Sequence, residues 1–97
     1  MISLTPAQRR FLKAQAHGLN PVVMIGDAGL SEAVLKEADA TLARHELIKI
    51  KVHSDNRDAR EALLAELCSH LDAAPVQHIG KILVVYRPAK EPKLQLP

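Results

Sequence analysis

The stretch "PVVMIGDAGLSEAVLKEADATLARHELIKIKV", residues 21–52, constrains the fold most, because two short β-branched runs enclose one amphipathic helical segment. "PVVMI" (21–25) is apolar throughout and stopped by Gly26, which predicts a strand buried on both sides and internal to a sheet. "LIKIKVH" (47–53) alternates, with Ile48, Ile50 and Val52 on one face and Lys49, Lys51 and His53 on the other. Its second face is therefore predicted to be wet and positive. Between the two runs, Ser31 can cap a helix, Glu32 favours its positive end, and Leu30 sits where a hydrophobic staple would meet Leu35. Val34, Leu35, Ala38 and Leu42 make the core stripe of that helix, which runs to about His45. A unit of this kind implies a right-handed crossover between parallel strands.

The flanking segments complete the fold. Thr5 followed by Pro6 predicts a capped helix from about Pro6 to His17, ended by Gly18 and Pro21. Leu12 and Ala16 lie on one of its faces, while Arg9, Lys13 and His17 recur every fourth position beside Arg10, so one side packs and another is basic. Ser54 or Asp55 is expected to cap a third helix, with Ala59, Leu63, Leu67 and Leu71 as its apolar stripe and Cys68 beside it. "VQHI" and "ILVVYR" flank Gly80-Lys81, the pattern of a tight two-residue hairpin with glycine first. Residues 88–97, punctuated by Pro88, Pro92 and Pro97, read as a mobile tail. The expected fold is α+β (α/β two-layer), a single domain over residues 1–97 in the order α-β-α-β-α-β-β with a mixed sheet of four strands.

Several function classes find no support in the residues. Cys68 is the one cysteine, too few for an internal disulfide, and "MISLTPAQRR" has no apolar signal core, so a reducing cytoplasm is expected. No run approaches the roughly 18 apolar residues of a membrane span. Cys68 and His70 are two apart on one helix and point to different sides, and His17, His45, His53 and His78 fall in separate elements without a ligand motif, so no metal is expected. There is no nucleophile elbow, no Walker A loop and no dinucleotide fingerprint, so neither enzymatic activity nor a cofactor is expected. Phe11 and Tyr86 are the only aromatic residues, which argues against reading bases by ring stacking.

What remains is a loop and a distribution of charge. Gly26-Asp27-Ala28-Gly29 feeds a helix N-terminus, where free N–H groups and the macrodipole suit a phosphate. The net charge is only +2, with a pI near 8.9, so placement matters more than total. Arg9, Arg10 and Lys13 cluster on the first helix, Lys49 and Lys51 on a strand, and Arg87, Lys90 and Lys93 near the C-terminal end, where only Glu91 opposes them. Arg57 and Arg60 sit among Asp55, Asp58 and Glu61 and read as an ordinary solvated mixture.

Taken together, "LTPAQRRFLKAQAHGLNPVVMIGDAGLSEAVLKEADATLARHELIKIKV" and "VQHIGKILVVYRP" resemble the CRM domain (chloroplast RNA splicing and ribosome maturation) in its bacterial, stand-alone YhbY-like form. The resemblance runs nearly end to end. It rests on the strand, Gly-x-x-Gly and helix unit at 22–42, on "HELIKIKV", and on "IGK" leading to "YRP". It implies a four-stranded mixed sheet similar to the C-terminal domain of bacterial translation initiation factor 3. It also implies RNA contact through Gly26 and Gly29 and association with precursors of the large ribosomal subunit. Many members carry a basic residue inside the loop, where this chain has Asp27 and Ala28. The expected function is binding of structured rRNA during large-subunit (50S) assembly by a cytoplasmic monomer, without DNA or membrane as partner. The expected contacts are Gly26, Asp27, Ala28, Gly29, Arg9, Arg10, Lys13, Lys49, Lys51 and Arg87. The alternative is a protein-interaction adaptor for a ribosomal protein or assembly factor, using the sheet face and the C-terminal tail.

Overall fold

The computed structural model describes residues 2–97. Thr5 opens α1 (Pro6–Ala16) with a reciprocal capping box: its Oγ1 accepts from the Gln8 N–H at 3.1 Å, and the Gln8 side chain accepts from the Thr5 N–H at 3.0 Å. There follow β1 (Pro21–Ile25), α2 (Glu32–His45), β2 (Leu47–Val52), α3 (Arg57–Leu71), β3 (Ala74–Ile79) and β4 (Ile82–Tyr86). The four strands form one mixed sheet in the order β1-β2-β4-β3, with β1 parallel to β2 and β4 antiparallel to both its neighbours. Gly80, at φ +56, takes the first position of the β3–β4 turn, a conformation glycine adopts without strain.

Each face of the sheet has its own core. Val23, Ile25, Ile48, Ile50, Val52, Leu83 and Val85 point to one side, where α2 contributes Ala38 and Leu42 and α3 contributes Leu64, Leu67, Cys68 and Leu71. Leu47, Val76, Val84 and Tyr86 point to the other side, beneath Leu12 and Ala16 of α1. The strict alternation of β2 therefore holds, with Ile48, Ile50 and Val52 buried and Lys49 and Lys51 half-buried on the α1 side.

Four expectations are corrected. β1 is not internal but lies at the edge of the sheet, with Val22 52% and Met24 58% exposed. An apolar run cannot report strand order, and α1, alone on that face with the C-terminal segment, lies over β2, β4 and β3 rather than β1. The cap of α3 is Asn56, whose Oδ1 accepts from the Ala59 N–H at 3.0 Å, while Ser54 and Asp55 lie in the turn before it. The buried stripe of α3 is Arg60, Leu64, Leu67, Cys68 and Leu71, so Ala59 is exposed and Arg60 is covered. Finally, residues 88–97 are docked instead of forming a free tail. Leu94 and Leu96 pack on the α1-side core, and the Glu46 carboxylate accepts backbone N–H groups from Ala89, Lys93 and Leu94.

Candidate nucleic-acid interface

The glycine loop is a turn closed on itself and raised from the surface. The Gly29 N–H donates to the Gly26 carbonyl at 3.0 Å, and the Ser31 N–H donates to the Gly29 carbonyl at 3.0 Å. Gly29, at φ +69, requires glycine for its backbone. Gly26 has no such requirement, and a Cβ placed there meets nothing within 4 Å. Asp27 and Ala28 stand exposed at the tip, and Asp27 makes no hydrogen bond or ion pair among the described residues. Behind the turn, Ser31 Oγ satisfies the Val34 N–H at 3.2 Å, which leaves the amides of Glu32 and Ala33 as the orphan donors of the first helical turn. Glu32 itself is turned to Lys36, at 3.8 Å.

The loop continues into an open part of the sheet. Met24 pairs in register with Lys51, Lys51 with Ile82, and Ile82 with Ile79, so one row crosses all four strands on the α1 side. Met24 and Ile79, at the two ends, are largely exposed, and Lys51 and Ile82 are half-buried between them. Met24 is two residues from Gly26, which places this row directly beside the loop. The next row runs from Pro21 to Lys49, Val84 and Gln77. The result is a shallow surface of aliphatic side chains around two ammonium groups.

The expected basic residues do not all converge there. Lys49 and Lys51 share a sheet face beside the loop. Arg9 and Lys13 instead flank a groove at the β3 edge, the edge of the sheet opposite β1. Arg10 is exposed on α1 and makes no side-chain hydrogen bond or ion pair among the described residues. Arg87 is occupied in the fold: its Nη1 donates to Asp39 Oδ1 at 2.7 Å and to the Leu71 carbonyl at 3.0 Å, and its Nη2 donates to the Asp39 carbonyl at 3.0 Å. It joins the end of β4 to α2 and to the last turn of α3, leaving few donors for a phosphate.

Sequence reasoning missed the exposed Met24 and Ile79, because an apolar residue in a strand signals burial until the strand order is known. It also missed Glu46. Burial pushes that carboxyl up, but the amides of Ala89, Lys93 and Leu94, with the Lys93 charge, together hold it below the usual carboxylate range. Burial pushes the Cys68 thiol up to about 11, which leaves it a packing group and not a nucleophile. Among the described residues, no cluster of three or more His, Cys, Asp or Glu could hold a metal ion, and no helix is long and apolar enough to cross a membrane.

Comparison with known proteins agrees with the resemblance in the sequence. The profile of the CRS1 / YhbY (CRM) domain matches residues 4–87. An RNA-binding protein of Haemophilus influenzae is 48% identical over 97 residues, covering 100% of this chain and 98% of the relative. A protein of Pseudomonas aeruginosa, named a probable RNA-binding protein, is 42% identical over 95 residues, covering 98% of this chain and 91% of the relative. The solution structure of a Staphylococcus aureus protein superposes with a TM-score of 0.87 at 36% identity, covering 98% of this chain and all of that one.

Proposed function

This chain belongs to the CRS1 / YhbY (CRM) domain family, and from that premise we propose that it binds structured rRNA in precursors of the large ribosomal subunit, as a cytoplasmic assembly factor without catalytic chemistry. The observation that carries the reading is the placement of the Gly26–Gly29 turn. It stands at the N-terminus of α2 and abuts the row of Met24 and Lys51. The positive end of α2 and its orphan amides attract a phosphate, and Lys51 and Lys49 hold flanking ones. Met24 and Ile79 offer aliphatic surface to sugars and base edges, a shape-directed contact that needs no aromatic ring.

Asp27 tempers this contact. A carboxylate about 6 Å from a phosphate in water-like dielectric costs about 0.7 kcal/mol, roughly threefold in affinity, which two nearby lysines outweigh. The reading is tested by sedimenting lysate and probing the fractions: the protein is expected with immature large subunits more than with finished ribosomes. Equal occupancy of mature particles would count against an assembly role.

One observation favours a second reading, in which the protein is an adaptor for a ribosomal protein or assembly factor. The β1 edge exposes Leu19, Val22 and Met24, an apolar strip suited to a protein partner. Salt separates the two readings, because phosphate contacts weaken steeply as salt rises whereas apolar contacts do not.

A further inference from the structure

We propose that the groove between α1, β3 and α3 is a second phosphate-binding site, so that the domain grips two separate runs of RNA backbone. This rests on the RNA-binding reading above and adds a site at the opposite edge of the sheet. The groove is lined by Arg9 and Lys13 of α1, Arg57 and Glu61 of α3, and Gln77 and His78 of β3. Three cations thus face one carboxylate. Among the described residues, no acidic side chain pairs with Arg9, Lys13 or Arg57.

The one carboxylate, on the exposed Glu61, is engaged by a side chain of the groove floor. His78, whose side chain is nearly buried, bonds through Nδ1 to Glu61 Oε2, and its Nε2 accepts from Arg60 Nε at 3.1 Å. The same Nε2 lies 3.0 Å from the Gly80 carbonyl, so the ring is fixed on three sides, by Glu61, Arg60 and the hairpin turn. Arg60 is itself covered, donating from Nη1 to the Ser54 carbonyl at 2.7 Å, so the floor adds a further positive charge. Glu61 is thus held by His78 and pairs with none of the three rim cations, which are left for a ligand.

A second observation points the same way. Arg9 Nε is shielded from solvent and has no hydrogen-bond partner among the described residues. A buried donor without an acceptor is unfavourable in the free protein, and Arg9 lines the groove, so a turn of its side chain toward an anionic oxygen there supplies the missing partner. Because β1 and β3 are the two edges of the sheet, three strand spacings of about 4.8 Å put this groove about 14 Å across from the strand that leads into the glycine loop. One phosphate cannot serve both sites. A folded RNA presenting two backbone runs can.

The test uses the full chain, wild type against the triple variant Arg9→Gln, Lys13→Gln, Arg57→Gln, with circular dichroism to check the fold. On a stem-loop rRNA fragment, the log-log salt slope should fall by about 2 to 3 in the triple variant, at roughly 0.7–0.9 per lost phosphate contact. In a nuclear magnetic resonance titration with inorganic phosphate, the backbone amides of Gln77 and His78 should shift in wild type and stay fixed in the variant. An unchanged slope, or amide shifts equal in the two proteins, overturns the second site. If wild type binds no RNA, the RNA-binding reading fails, and the phosphate titration alone decides the groove.

Discussion

Glu46 Oε1 accepts the backbone N–H of Lys93 at 2.8 Å and so ties the residue that ends α2 to the C-terminal segment. The same carboxylate takes the N–H groups of Leu94 at 3.2 Å and Ala89 at 3.1 Å, while its own backbone carbonyl accepts from the Arg87 N–H at 2.8 Å. Glu46 holds φ +62, a left-handed conformation that costs a non-glycine residue, and the four contacts it organises offset that cost.

Glu46→Ala should destabilise the protein by about 2–4 kcal/mol in urea denaturation, since three backbone donors lose a charged acceptor. Glu46→Gln, which keeps an acceptor oxygen, should cost less. The folded carboxyl titrates below its ordinary value of 4.5, so its contribution is fully present above that pH and is lost as pH falls through the lower folded value. Wild type should therefore lose more stability than Glu46→Gln on acidification below 4.5, read from denaturation midpoints at a series of pH values.

Arg87 and Lys51 should separate cleanly. Arg87→Gln removes a staple to Asp39 and Leu71 and should lower stability by about 1–3 kcal/mol while leaving the salt dependence of RNA binding intact. Lys51→Gln should do the reverse, lowering the salt slope by about 0.7–0.9 and moving the melting temperature little. A slope lowered by Arg87→Gln in folded protein would return that residue to the interface.

Asp27 at the tip of the loop and Gly29 at its end should respond differently to substitution. Asp27→Asn should tighten RNA binding about threefold at low salt and less at high salt. The melting temperature should not fall, because no described residue depends on that carboxylate. Gly29→Val should lower the melting temperature, because a β-branched residue at φ +69 is strained by about 1–3 kcal/mol. Unchanged affinity for Asp27→Asn across salt would place the phosphate away from the loop tip.

Local chemistry was legible in the sequence, and long-range order was not. The Thr5 and Ser31 caps, the alternation of Ile48, Lys49, Ile50 and Lys51, and the glycine hairpin each follow from adjacent residues, and each is present in the structure. The edge position of β1 depends on β4 inserting between β2 and β3, a choice made far along the chain, so "PVVMI" looked internal. Three consecutive residues able to cap, Ser54, Asp55 and Asn56, left the start of α3 open, and Arg60, a charged residue among carboxylates, read as solvated although the fold covers it. The docking of residues 88–97 was hidden because its anchor, Glu46, reads as one more charged residue at a helix end. Of the candidate site, the loop and the two lysines were readable. The grouping of Arg9 and Lys13 with Arg57 required the packing of three elements.

Gly26 gives the most direct test of the central claim. Its backbone does not need glycine and a Cβ there meets nothing, so Gly26→Ala should leave the melting temperature within the reach of an ordinary surface substitution, about 0.5 kcal/mol. A phosphate approaching the loop amides closely would meet the added methyl group. Fluorescence anisotropy with a labelled large-subunit rRNA fragment should then show binding about tenfold weaker than wild type, equivalent to about 1.4 kcal/mol. Equal affinity for the two proteins at low and high salt would contradict the account and move RNA recognition off the glycine loop.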